Sequence, residues 1–245
     1  MGKIYRQEHT IPFYEADVTS KVKLSHLVNK SLEVSGWQAH SLGWSDQRIL
    51  DEYGLIWVVT DYQFTIERLP VFAENITIET EAVSYNKLFC YREFRIFDET
   101  GQLLVSLLCS FVLMDAQTRK VHAVIDEVVA PFGADKIKAI RRGEKMAELT
   151  DPVVTDRQVT YFDLDMNGHV NNSKYIDWFI ESLGREFLNE HTPKRLIIKY
   201  SKEVHYGKNV QVASQLTNLT SRHDLLTEDG LSTQAMIDWE VRDDQ

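Results

Sequence analysis

Cysteine, proline, positive charge and long apolar runs are all scarce in this chain of 245 residues. Its two cysteines, Cys90 and Cys109, both lie within apolar runs and read as buried free thiols, so no disulfide framework or oxidising compartment is implied. The longest apolar run, Leu103 to Met114, is broken by Ser106 and Ser110 and is too short to span a bilayer. The start has no apolar signal core. The expectation is a cytoplasmic protein with no integral membrane contact. Lys and Arg number 27 against 37 Asp and Glu, for a net charge of −10, which argues against nucleic acid or an anionic membrane as partner. Glycine-rich phosphate loops, Cys/His pairs at ligand spacing and carboxylate clusters of metal type are missing, so no nucleotide, other cofactor or metal is expected. What remains, 43% hydrophobic and 26% charged residues, is the balance of a globular protein with a substantial core.

Residues 4–14 read as a strand and Lys23 to Leu42 as a helix with Leu24, Leu27, Val28 and Leu32 on one stripe. Small Ser31, Ser35 and Gly36 are expected to let that helix approach another surface closely. Segments of strand composition follow at Leu55–Ile66, Ile76–Val83, Leu88–Phe97 and Leu103–Met114, separated by turn signals. Strand, long helix, then an antiparallel series predicts an α+β fold. From Pro131 to Pro152 the texture changes to a charged connector in which Lys136, Lys138, Arg141, Arg142 and Lys145 stand close together. The plain reading is a solvated linker helix; the second is a docking patch for an acidic partner. The predicted organisation is an N-terminal unit over 1–130, a linker over 131–151 and a C-terminal unit over 152–245.

After Pro152 the opening pattern returns as strand 153–162, helix 170–189, strand 194–206, then strands Val210–Leu219 and Ala235–Val241. At an offset of 148, Tyr14-Glu15-Ala16-Asp17 falls on Phe162-Asp163-Leu164-Asp165, Val22 on Val170 and Val28 on Ile176. Farther on the halves re-register, Tyr62–Ile66 with Tyr200–Val204 and Asn75 with Asn209. Two copies of one α+β unit imply pseudo-twofold packing, as in a fused dimer.

The stretch from Tyr161 to Gly184 carries the densest polar chemistry, with Asp165, Asn167 and His169 at alternate positions just before a helix. One Asn or Asp suffices to cap a helix. The first copy keeps Asp17 but has Thr19 and Lys21 where the second has Asn167 and His169, and Thr65 is expected opposite Glu203. Residues needed only for structure should recur in both copies, so the asymmetry predicts one site, supplied by the second. Taken singly, Asp165 and Asn167 read as turn and cap residues, and strand alternation puts Glu203 on a solvated face with Lys199, Ser201 and His205.

The run Asp163-Leu164-Asp165-Met166-Asn167-Gly168-His169-Val170-Asn171-Asn172, followed by Lys174-Tyr175-Ile176 and Trp178, resembles the acyl-ACP thioesterase family of plant plastids and bacteria. Ile198 to Val204 matches a second familial segment with a Tyr and a Glu at this spacing, and Trp57, Tyr62 and the Arg68-x-Pro70 turn look familial too. The resemblance spans essentially the whole chain. It implies a tandem (double) hotdog, each half a long helix wrapped by an antiparallel sheet. It also implies hydrolysis of the thioester between a fatty acyl chain and acyl carrier protein, in fatty acid biosynthesis. Carried over by position, it assigns catalysis to Asp165, Asn167, His169 and Glu203. Plant members have a Cys directly after the motif Glu; Val204 stands there here, which excludes a thiol nucleophile at that position and leaves water activated by a carboxylate.

In that scheme Glu203 is general base, His169 holds the water or shares the proton, and Asn167 with a backbone N–H near Val170 receives the oxyanion. Sequence leaves open which carboxylate is the base. An apolar tunnel from the first copy would hold the acyl chain, with Val28, Leu32, Trp37, Trp57, Val59 and Phe111 as candidates. The carrier protein, being acidic, would dock at Lys136, Lys138, Arg141, Arg142 and Lys145. Competing readings are an acyl-CoA thioesterase, a hotdog dehydratase of 3-hydroxyacyl thioesters and a silent acyl-binding module. A homodimer of the whole chain is compatible with the resemblance.

Overall fold

A computed structural model describes residues 2–141 and 143–242; Arg142, one of the expected docking residues, lies outside them. In chain order the elements are β1 (Ile4–Thr10), α1 (Leu24–Ser41), α2 (Asp46–Tyr53), β2 (Leu55–Ile66), β3 (Asn75–Tyr85), β4 (Phe89–Asp98), β5 (Leu103–Asp115), β6 (Val121–His122), α3 (Asp126–Val129) and β7 (Asp135–Lys136). The second half gives β8 (Val153–Gln158), α4 (Asn172–Glu181), α5 (Arg185–Glu190), β9 (His191–Tyr200), β10 (Asn209–Thr217), β11 (Thr220–Thr227) and β12 (Gly230–Val241).

The main strands form one sheet in the order β1-β3-β4-β5-β2-β9-β12-β11-β10-β8. Each half lays out its strands in the same sequence, and the two series meet back to back at β2 and β9. Asp61 pairs with Lys199 across that junction, and Tyr62 pairs with Ile198. Asp61 and Lys199 are themselves 138 residues apart, as are Tyr62 and Tyr200, so the pseudo-twofold axis passes through the Asp61–Lys199 pair. This is the α+β double hotdog. Its two long helices pack against each other on one side of the shared sheet. Helix α1 buries Leu24, Leu27, Val28 and Val34, at spacings that keep them on one face; α4 buries Tyr175, Ile176, Trp178 and Phe179.

Four sequence expectations change. The helix expected over 170–189 breaks at Gly184, whose φ of 81° lies in the left-handed region that glycine adopts readily. The strand expected over 194–206 ends at Tyr200, so Glu203 sits on a loop and strand alternation does not govern it. Strand β11 escaped detection because its inward face is Ser221, His223 and Leu225, mostly polar residues satisfied by hydrogen bonds rather than by apolar contact. The connector is not a helix. It forms the short strand β7 beside Tyr85 and then runs without regular structure along the sheet. Asn86 Nδ2 donates to the Ala139 carbonyl at 3.1 Å, Arg141 N–H donates to the Tyr91 hydroxyl at 3.0 Å, and Glu144 pairs with Arg195. These bonds replace the helical hydrogen bonds that the segment gives up.

Candidate active site

The polar turn is built by its own carboxylates. Thr160 donates both its N–H and its hydroxyl to Asp163 Oδ2 at 2.8 Å, closing a short 3-10 turn over Tyr161–Asp163. Asp165 Oδ1 then accepts the Asn167 N–H at 2.8 Å, and the Asp165 N–H donates to the His169 carbonyl at 2.9 Å. Gly168, at φ 79°, lets the chain reverse so that His169 follows Asn167 at the rim. Asn171 caps α4, its Oδ1 accepting the Ser173 N–H at 2.9 Å and the Ser173 hydroxyl at 2.8 Å.

Glu203 arrives on the loop after β9. The Val170 N–H donates to the Val204 carbonyl at 2.9 Å, tying turn to loop. From the other side, Ser232 donates its hydroxyl to the Lys202 carbonyl at 2.7 Å. Glu203 Oε2 therefore lies 3.3 Å from His169 Nε2, and the His169 ring packs edge-on against His205 at 4.8 Å between centroids. Glu203 Oε1 takes an ion pair from Arg119, in the turn after β5 of the first half. The Val170 N–H, expected to serve an oxyanion, is spent on Val204. That leaves the Asn167 carboxamide as the expected donor still at the site.

A cavity of about 730 Å³ runs from these groups into the first half. Asp165, Asn167, His169 and Glu203 all line it, together with Tyr175 and Tyr200, whose hydroxyl donates to the Asn172 carbonyl at 2.8 Å. Burial pushes the Tyr175 and Tyr200 hydroxyls well above the usual phenol range, so both stay neutral at the cavity wall. Leu32, Trp57, Val59 and Phe111 line the apolar part.

Val28 and Trp37 do not. Val28 is fully buried in the core that α1 shares with the sheet, and Trp37 is half exposed on another side of α1, its indole N–H 3.4 Å from Glu33. The helix turns Leu32, Ser35, Gly36 and Ala39 to the cavity, a 3-1-3 spacing of mostly small residues. Gly36 gives room rather than close approach, since a Cβ there would meet nothing within 4 Å. At the cavity wall in the first half stands Arg92 on β4, buried, with Nη1 donating to Gln38 Oε1 at 2.5 Å and Thr80 Oγ1 at 3.0 Å. It makes no ion pair among the described residues, and burial pushes its guanidinium down to about 10.

The first copy builds the same turn without the chemistry. Asp17 Oδ1 accepts the Thr19 N–H at 2.7 Å, and the Asp17 N–H donates to the Lys21 carbonyl at 2.8 Å. Ser20, at φ 63°, takes the place of Gly168. The Val22 N–H donates to the Pro70 carbonyl at 2.8 Å, as that of Val170 does to Val204. Leu69, rather than the expected Thr65, is thus the counterpart of Glu203, because the first half carries four extra residues between strand and loop. Sequence reasoning missed Arg119 and Arg92 as site-lining residues. Arg119 lies 84 residues before Glu203, and only the packing of the halves joins them. Among the connector residues proposed for docking, Lys136 is engaged with Asp126 at 2.8 Å, and Arg141 lies 5.3 Å over the Tyr91 ring; Lys138 and Lys145 are exposed.

Residues 2–132 match the acyl-ACP thioesterase N-terminal domain, and residues 146–241 match the acyl-ACP thioesterase C-terminal domain. A palmitoyl-acyl carrier protein thioesterase of Gossypium hirsutum is 27% identical over 94% of the chain, and an oleoyl-acyl carrier protein thioesterase of Coriandrum sativum is 27% identical over 99%. The chain spans 58% and 70% of those two chloroplastic relatives. The crystal structure of a Lactobacillus plantarum protein described as an oleoyl thioesterase superposes with a TM-score of 0.94 at 31% identity, covering 99% of this chain and 98% of that one. A 12:0-ACP thioesterase from Umbellularia californica shares the fold, with a TM-score of 0.86 at 21% identity over 98% of each chain. Two halves related by a pseudo-twofold axis, each matched by its own domain of one family and together lining a cavity with the one polar turn of the second half, belong to a member of the acyl-ACP thioesterase family.

Proposed function

We propose that this protein hydrolyses fatty acyl thioesters of acyl carrier protein, releasing the free fatty acid in fatty acid biosynthesis. The observation that carries the reading is the Glu203–His169 pair, 3.3 Å apart, at a cavity with an apolar part lined by Leu32, Trp57, Val59 and Phe111. An acyl chain fills the apolar part, and its thioester carbon then lies among the polar groups. Glu203 takes a proton from water as the water oxygen bonds to that carbon, with His169 holding the water. Such base assistance typically contributes roughly 10²–10⁴-fold. The Asn167 carboxamide donates to the oxyanion, a contact whose loss typically costs on the order of 10²–10³-fold. Collapse breaks the C–S bond, and the departing thiolate takes from Glu203 the proton that came from water, which restores the carboxylate. Asp165 builds the turn that presents Asn167 and His169.

The carrier protein docks along the connector, where exposed Lys138 and Lys145 flank Arg141. No helix among the described residues is long and apolar enough to cross a membrane. The decisive experiment is thiol release from acyl-ACPs and from acyl-CoAs of the same chain lengths by the wild type and by Glu203→Gln. Hydrolysis of acyl-ACP with higher kcat/KM, lost by at least ~10²-fold in the variant, is the expected result. Preference for acyl-CoA would replace the carrier protein as substrate. Full activity of Glu203→Gln would remove Glu203 as base.

A further inference from the structure

The first half does more than hold an acyl chain. Its turn after β5 is folded to deliver one charged group across the boundary between halves. Asp115 Oδ1 gathers the N–H groups of Gln117 at 3.1 Å and Thr118 at 2.7 Å, and the Arg119 N–H donates to the Asp115 carbonyl at 3.0 Å. Arg119 then adopts φ 56°, a left-handed conformation that is unfavourable for a residue with a side chain. From that backbone its guanidinium reaches Glu203 Oε1, and both residues line the cavity. Backbone strain of this kind persists where surrounding structure enforces it, often at functional sites.

The ion pair is poorly suited to a purely structural task. Both side chains are about one-third exposed, 32% and 33%, and ion pairs in contact with water add little to stability. The halves are already joined by backbone pairing of β2 with β9 from Asp61 through Thr65. What the pair does accomplish is geometric. With Oε1 held by Arg119, the carboxylate plane is fixed and Oε2 is turned to His169. The neighbouring cation, Lys202, is directed instead at the Asp229 carbonyl.

We propose that Arg119 is a positioning residue for the hydrolysis, acting from the first half by fixing Glu203 so that Oε2 accepts the proton of water. This rests on the reading of Glu203 as base. A misplacement of about 1 Å can cost on the order of 10²-fold in rate. Arg119→Ala should therefore lose about 10–100-fold in kcat on acyl-ACP while KM stays near the wild-type value, and Arg119→Lys should fall between.

The test is a double-variant cycle with chemical rescue. Arg119→Ala, Arg119→Lys, Glu203→Gln and Arg119→Ala/Glu203→Gln are assayed for kcat and KM, with and without added guanidinium ion. The expected result has guanidinium restoring Arg119→Ala but not Glu203→Gln, and the double variant no slower than Glu203→Gln alone. Wild-type kcat in both Arg119 variants, multiplying losses in the double variant, or a rise in KM alone would each overturn the proposal. An inactive Glu203→Gln beside fully active Arg119 variants removes the role of Arg119 and leaves the base in place. A fully active Glu203→Gln removes both.

Discussion

Asp165 accepts the backbone N–H of Asn167 at 2.8 Å, the bond that Asp17 makes to Thr19 in the half that lacks the His and the Glu. Asp165 thus serves a turn that the protein also builds where no chemistry is expected. Asp165→Asn keeps a carbonyl oxygen at the same place and should retain activity within roughly tenfold. Asp165→Ala loses the oxygen, lets Asn167 and His169 drift, and should lose on the order of 10²-fold in kcat. Equal, large losses in both variants would instead give the Asp165 charge a direct part in the reaction.

Gly36 faces open cavity from the middle of α1. Gly36→Ala removes backbone freedom from the unfolded chain without a clash, and should stabilise the protein by about 0.5–1 kcal/mol in urea unfolding. Gly36→Leu puts a branched side chain into the acyl space, so the hydrolysis profile across chain lengths should move to shorter acyl groups. An unchanged profile would show that the acyl chain takes a path away from α1.

Arg92 carries a buried cation with no carboxylate partner among the described residues. It stands on β4, three strands from β9, about 14 Å across the sheet at normal strand spacing. Displacing its remaining solvation with a methyl end is costly. Arg92→Met should let longer acyl chains occupy that end and shift the profile upward in length. A profile that stays fixed would place the chain terminus short of Arg92.

His223 should set the acid limit of stability. It lies buried between Ser214 (2.7 Å from Nδ1) and Ser221 (2.8 Å from Nε2), and burial holds its imidazole down to about 3. Unfolded, it titrates at about 6.5. The unfolded state therefore binds the extra proton between about pH 6.5 and about pH 3, and native stability falls as pH drops through that window. From pH 7 to pH 5 this group alone should remove about 2 kcal/mol, read from urea midpoints. His223→Gln, which has no proton to take up, should flatten that part of the profile.

The duplication, the α+β class and the polar turn are legible in the order of residues. These rest on local spacing: the α1 and α4 stripes repeat at 148 residues, and Asp165, Asn167 and His169 are neighbours in the chain. The same order exposes the asymmetry with Thr19 and Lys21, although the counterpart of Glu203 proved to be Leu69, because four extra residues are invisible until hydrogen bonds fix the register. The remaining features depend on how the two halves pack. Which face of α1 meets the cavity depends on the helix's rotation against α4 and the sheet, so Leu32 and Gly36 line it while Val28 and Trp37 do not. Arg119 meets Glu203 only because β2 and β9 join the halves, a contact set by packing rather than by any periodicity in the chain.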